Sequence, residues 1–216
     1  MKLVIGNKNY STWSLRPWLL LSGFDIDFEE IQVSLMADGL NERLGEYSPT
    51  AKVPVLIDTD VTVSDSLAIC EYVSEKYLDG RGWPEDELKR AQARALCSEI
   101  HSGFGALRSE LPMNCRALRK IEISTSAQKD IARIDTVWSE YTQENENFGP
   151  WLFGNFSIAD CFFAPVALRF LTYSIPLSTS SQNYANQLLH HPCIINWLVS
   201  ANRETEIIEE DEAGLE

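Results

Sequence analysis

Residues 48–72 decide the fold: Ser48-Pro49-Thr50-Ala51-Lys52-Val53-Pro54-Val55-Leu56-Ile57-Asp58-Thr59-Asp60-Val61-Thr62-Val63-Ser64-Asp65-Ser66-Leu67-Ala68-Ile69-Cys70-Glu71-Tyr72. Val55–Ile57 is a short apolar run and Val61–Val63 alternates apolar and polar. With Asp58-Thr59-Asp60 between them, they predict a hairpin. Leu67, Ile69, Cys70 and Val73 then recur at helical spacing, so Asp65-Ser66 opens a helix. A carboxylate and a hydroxyl at a helix start stand beside free backbone N–H groups. That pattern suits a small zwitterion, its carboxylate on Ser66 and the N–H groups and its ammonium on Asp65. Pro54 cannot donate to a sheet ladder and belongs at a strand's first residue or on an edge. A cis Val53–Pro54 bond would leave the Val53 N–H and C=O facing solvent, free to pair with an extended peptide. An ordinary strand start followed by an ordinary helix cap is the plainer reading of either half alone.

Working outward, residues 1–78 alternate strand and helix. Strands are predicted at 2–5 and 28–33, and helices at about 15–23, 38–46 and 65–77. A β-α-β start followed by β-β-α is a thioredoxin-like arrangement, with a right-handed crossover in its first half. Asp79-Gly80-Arg81-Gly82-Trp83-Pro84 is the clearest break in the chain, read as a linker over 79–84. An all-helical domain is expected over 85–203. Its helices are one long helix from Glu85 to Glu110, another at about 118–146, Ser157–Tyr173, and short ones near 181–190 and 193–202. Ser157 and Asp160 have capping-box spacing, and Pro165 should bend the helix they open.

The chain has 216 residues and a net charge of −14. That balance argues against a nucleic-acid partner and against an anionic membrane surface. No apolar run reaches the ~20 residues of a membrane span, and Met1-Lys2 leads straight into a strand, so a cytoplasmic location is expected. Residues 204–216 hold seven carboxylates and no base, which reads as a solvated, poorly ordered acidic tail. The five cysteines (Cys70, Cys97, Cys115, Cys161, Cys193) form no C-x-x-C and signal neither a metal site nor a dithiol.

The Lys52-Val53-Pro54, strand, turn, strand, Ser64-Asp65-Ser66 pattern resembles the glutathione-binding half of the cytosolic glutathione transferases. Leu3–Ile5 followed by Ser11-Thr12-Trp13-Ser14-Leu15-Arg16-Pro17-Trp18 is similar to their Ser-type members, the zeta or maleylacetoacetate-isomerase group in particular. Trp13 stands where that group's motif has a cysteine. The resemblance implies a thioredoxin-like domain followed by an all-α domain, a homodimer, glutathione as cofactor and a small electrophile as second substrate. It implies that Lys52, Val53, Pro54, Asp65 and Ser66 bind glutathione and that Ser11 is catalytic, its hydroxyl donating to the glutathione sulfur. Tyr10 and Thr12 are the alternatives to Ser11, and Ser14 is expected to cap the first helix. His101 and Arg108 on one helical face, with Arg116 beyond, would orient an anionic substrate or form a plain polar face. Conjugation, cis–trans isomerisation of a maleyl-type diacid, and a non-catalytic binding module are the three functions that fit.

Overall fold

The computed structural model describes residues 1–36 and 38–215. Four strands form one mixed sheet in the order β2-β1-β3-β4: β1 Lys2–Ile5, β2 Glu29–Gln32, β3 Val55–Asp58 and β4 Val61–Ser64. β1 runs parallel to β2 and antiparallel to β3, and β3 pairs antiparallel with β4. The side-chain period of two sorts this sheet's residues between its faces. Leu3, Ile5 and Leu56 join the main core, whereas Val4 and Val55 join a smaller cluster with Val33 and Leu44. α1 (Thr12–Gly23) and α3 (Ser66–Tyr77) pack on the main-core face, and α2 (Leu40–Gly45) supplies Leu44 to the other. This is the expected thioredoxin-like unit.

α1 begins one turn earlier than predicted. Ser11, not Ser14, is its N-cap residue, because the preceding loop closes on itself: the Ser11 N–H donates to the Asn7 carbonyl (2.9 Å) and Leu15 N–H to the Ser11 carbonyl (3.2 Å). Pro17 therefore lies inside the helix, where it offers no N–H to the carbonyl of Trp13.

Beyond the turn at 79–84 the chain is helical: α4 Glu87–Ser102, α5 Gly105–Glu110, α6 Thr125–Glu144, α7 Ile158–Thr172, α8 Thr179–Leu189 and α9 Pro192–Ala201. The single helix expected over 85–110 is broken. Gly103 donates to the Glu99 carbonyl at 2.8 Å, a side chain there would meet that same oxygen, and Phe104 takes a left-handed φ of 57°. The Arg108 guanidinium folds back across the break to the carbonyls of Ile100 and His101 and satisfies the end of α4. His101 and Arg108 thus reach each other across a bend, not along one helical face.

α7 is buried almost along its whole length and packs against both α1 and α4, so a single core runs from the sheet into the helical part. Asp160 fixes its start as the capping-box reading expected. Its carboxylate accepts from the Ser157 N–H (2.9 Å) and hydroxyl (3.0 Å), and from Leu152 N–H (3.2 Å) and Tyr184 hydroxyl (2.9 Å). None of the helices described is long and apolar enough to cross a membrane.

The acidic stretch departs most from expectation. Residues 204–215 are not a loose tail: they include a 3-10 turn at Glu209–Asp211 and a bridge between Lys120 and Leu215. Glu216 lies outside the described residues. Glu204, Glu206 and Glu212 hold the stretch down because fixed donors meet their carboxylates, as the site shows.

Candidate functional site

Strand register gathers the predicted residues at one end of the sheet. Val4 opposes Val55, Val55 opposes Ser64, and Ile5 opposes Gln32. The loop after β1, the Val53-Pro54 entry to β3, the Asp65-Ser66 exit from β4 and the loop after β2 therefore open on the same edge. The Val53–Pro54 peptide is cis and, among the described residues, Val53 makes no hydrogen bond. Pro54 is buried and Lys52 is exposed.

Asp65 sits at φ 86°, outside the usual range for a residue with a side chain, and caps α3: Oδ1 accepts from Leu67 N–H (2.8 Å) and Ala68 N–H (3.2 Å). Two of the N–H groups expected to hold a ligand carboxylate are thereby taken. The Ser66 N–H has no partner among the described residues, and the buried Ser66 hydroxyl faces the Arg16 guanidinium at 3.5 Å. The other Asp65 oxygen lies 3.1 Å from His101 Nε2. Burial lowers the His101 pKa, and the Asp65 charge opposes that without cancelling it.

Arg16, one of the local cations expected beside the site, is built into its floor. It is buried between the rings of Trp13 (4.4 Å) and Phe162 (4.5 Å), its Nε has no partner among the described residues, and Arg108 lies over Trp13 at 4.8 Å. Burial, reinforced by the Arg108 charge, pulls the Arg16 guanidinium down to about 9. His101 meets Trp13 edge-on at 5.1 Å. Trp13 is thus a flat wall ringed by three cationic or titratable groups beside Ser66. The sequence signal for it was its place where the resembled motif has a cysteine; in the structure it is the second residue of α1.

The three candidate hydroxyl donors part company. Ser11 is buried and donates to Ser14 Oγ at 2.7 Å, and Ser14 Oγ also accepts the Gly6 N–H at 3.1 Å. Thr12 is half-buried at the first position of α1. Tyr10 is turned away: its hydroxyl donates to Glu212 Oε1 (2.6 Å) and accepts from Arg116 (3.0 Å). Burial, then the Glu212 contact, raises its pKa. Arg116, read as a possible substrate cation, is instead committed to Tyr10 and to the Glu204 and Glu206 carbonyls.

The acidic stretch crosses the loop that leads to Ser11. Glu204 accepts the Lys8 N–H (2.6 Å) and Asn9 N–H (2.9 Å), Glu206 accepts the Asn7 side-chain amide and Ser34 hydroxyl, and Glu212 accepts from Asn114 (2.8 Å) and pairs with Arg119 (2.7 Å). A cavity of about 430 Å³ beneath it is lined by Asn114, Arg116, Arg119, Thr205, Ile207 and Glu212. A larger cavity, about 950 Å³, lies away from this edge at the turn around Trp83, where the charges pair with one another, as in Arg94 with Glu71.

The glutathione S-transferase N-terminal domain family matches residues 10–76. Maleylacetoacetate isomerase of Rattus norvegicus is 35% identical over 101 residues, 45% of this chain and 46% of that protein. Glutathione S-transferase Z1 of Arabidopsis thaliana is 31% identical over 135 residues, 59% and 58% of the two chains. The matched regions span about half the length of such curated relatives. A Burkholderia glutathione transferase homolog with bound glutathione superposes with a TM-score of 0.72 at 24% identity, covering 94% of this chain and 98% of that one. The chain carries a glutathione S-transferase N-terminal domain, and its fold throughout is that of the glutathione transferases.

Proposed function

We propose that the protein is a glutathione transferase, joining the glutathione thiolate to a small electrophile. The observation that carries this reading is the convergence of Ser11, Val53-Pro54 and Asp65-Ser66 on one sheet edge, inside the segment matched to the transferase domain. Glutathione would lie extended along this edge. Its cysteinyl backbone pairs with Val53, and Lys52 stands beside that strand start as a cation for the anionic ligand. Its γ-glutamyl carboxylate meets the open Ser66 N–H and hydroxyl over Arg16, and its ammonium meets Asp65. The thiol then falls at the start of α1, where oriented N–H groups favour the thiolate. Ser11 turns its proton from Ser14 to the sulfur, and the Ser14 hydroxyl donates to Ser11 in return. The second substrate packs against Trp13, with Arg108 and His101 at its rim.

Calorimetry tests the seat. Ser66→Ala and Asp65→Ala should each weaken glutathione binding by roughly 1–3 kcal/mol, with Ser66→Ala the cleaner because Asp65 also caps α3. Unchanged affinity in both removes the reading.

Isomerisation of a maleyl-type diacid is the second reading, favoured by the Arg16–Arg108–His101 surround of Trp13. Assay of a maleyl diacid with and without glutathione separates the two. The protein would work as a cytoplasmic homodimer, with free thiols at all five cysteines. Sedimentation as a monomer at micromolar concentration would exclude the dimer.

A further inference from the structure

The loop between β1 and Ser11 is held almost entirely from outside itself. The Asn7 side chain bridges the Leu35 N–H (2.8 Å) and Glu206. Trp197 Nε1 donates to the Lys8 carbonyl at 2.9 Å. The Asn9 side chain donates to Asn114 Oδ1 at 3.0 Å and accepts the Arg116 N–H at 3.0 Å. Tyr10 is fixed by Arg116 and Glu212. Within this frame the two consecutive loop N–H groups, Lys8 and Asn9, converge on one carboxylate, that of Glu204. The Glu204 carboxylate also receives the Gln32 side-chain amide, and its carbonyl receives Arg116. Its placement is therefore set by the sheet edge and the helical part together. Ser11 follows two residues later and takes its own N–H bond from within the loop, at Asn7.

We propose that Glu204 is a positioning residue for the transferase reaction: by gripping the Lys8 and Asn9 amides it fixes the loop from which the Ser11 hydroxyl reaches the thiol. This rests on the transferase reading above. Glu204 touches neither Ser11 nor the Val53–Ser66 seat, so its loss acts on thiol activation and leaves the glutathione seat alone. A carboxylate receives two amide protons well, whereas the amide of glutamine turns a donor toward one of them.

The test is a double-mutant cycle read in the pH profile. Glu204→Ala and Glu204→Gln should bind glutathione within about twofold of wild type. Their kcat at pH 7 should fall about five- to tenfold, and the pKa of the bound thiol, followed by thiolate absorbance, should rise by up to about one unit. In a Ser11→Ala background, adding Glu204→Ala should shift that pKa no further, because the effect passes through Ser11. An equal further shift in that background, or no shift in the single variants, overturns the proposal. If Glu204→Ala does not fold, Glu204→Gln carries the cycle, and amide exchange at Lys8 and Asn9 in wild type is the second measurement. Protection to the level of the core supports the grip, and free exchange overturns it. Wild type is titrated first. If it forms no thiolate with glutathione, the transferase reading falls, and amide exchange alone judges the Glu204 contact.

Discussion

Ser11, Ser14 and Tyr10 lie within five residues yet face different partners, so single substitutions separate them. Ser11→Ala should leave glutathione affinity nearly intact and raise the bound thiol's pKa by roughly one to two units, since a hydroxyl donor to a charged sulfur contributes about 1.5–3 kcal/mol. The rate at pH 7 should fall tenfold or more and recover in part at higher pH. Ser14→Ala should raise the same pKa by a smaller amount, because Ser14, which accepts from Ser11 in the free protein, would donate to it only once Ser11 turns to the sulfur. Tyr10→Phe should leave the titration in place, its hydroxyl being tied to Glu212 and Arg116. Ultraviolet titration of the three variants measures this, and a shift in Tyr10→Phe alone would make Tyr10 the donor. The place of Asp65 and Ser66 at a helix start was legible in their position after the hairpin, whereas Ser11 was picked out by the resemblance to the Ser-type transferases. Trp13 and Arg16 take their importance from neighbours 50 to 150 residues away, Ser66 and Phe162, which no local pattern displays.

At the level of elements, the hairpin, the β-α-β then β-β-α succession and most helices followed from apolar period and turn residues. The break between α4 and α5 did not, although Gly103-Phe104-Gly105 marks it. Glycines inside a strong helical period read as tolerated interruptions, and only the return of Arg108 to the Ile100 and His101 carbonyls turns them into an end. α7 offers a test of element stability. Burial raises the Asp160 carboxyl to about 6, and its four donors keep it from rising further. Its unfolded value, 3.8, is lower. Between the two the folded chain holds the proton more tightly, so this group's contribution to stability falls as pH rises from about 4 to 6 and is level above. The total is about 3 kcal/mol. Asp160→Asn should abolish that slope, seen as a difference between urea unfolding of variant and wild type at pH 4, 5 and 7. An identical slope in both would show that Asp160 ionises freely in the folded chain.

For the molecule as a whole, the acidic stretch is the feature that composition misread. Carboxylates without a base predict solvation only if no donors wait for them, and here two loop amides meet Glu204 while Tyr10, Asn114 and Arg119 meet Glu212. Burial tends to raise the Glu212 pKa, but hydrogen bonds from Tyr10, Arg119 and Asn114 more than offset it and leave it below the ordinary 4.5. The stability Glu212 contributes is therefore present above pH 4.5 and is lost as pH falls through its folded value. Acid should free this segment before the core melts. Amide exchange at Lys120 and Leu215 should accelerate below pH 4.5 in wild type, and Glu212→Gln should show the fast exchange already at neutral pH. Slow exchange in Glu212→Gln at pH 7 would mean that the Lys120–Leu215 bridge holds without it.

The grip of Glu204 on Lys8 spans 196 positions. Contacts so distant in sequence close late, because the intervening chain must be ordered before they form. During synthesis the strand, the loop and Ser11 emerge early, and the sheet and helices can assemble around them as they appear. The loop stays unclasped until residues 204–206 have left the ribosome. A nascent or truncated chain can therefore have the sheet and most of the helices folded and still react several-fold more slowly. Full reactivity would then report that translation has passed residue 206, which makes the rise in rate a marker of how far the chain has emerged.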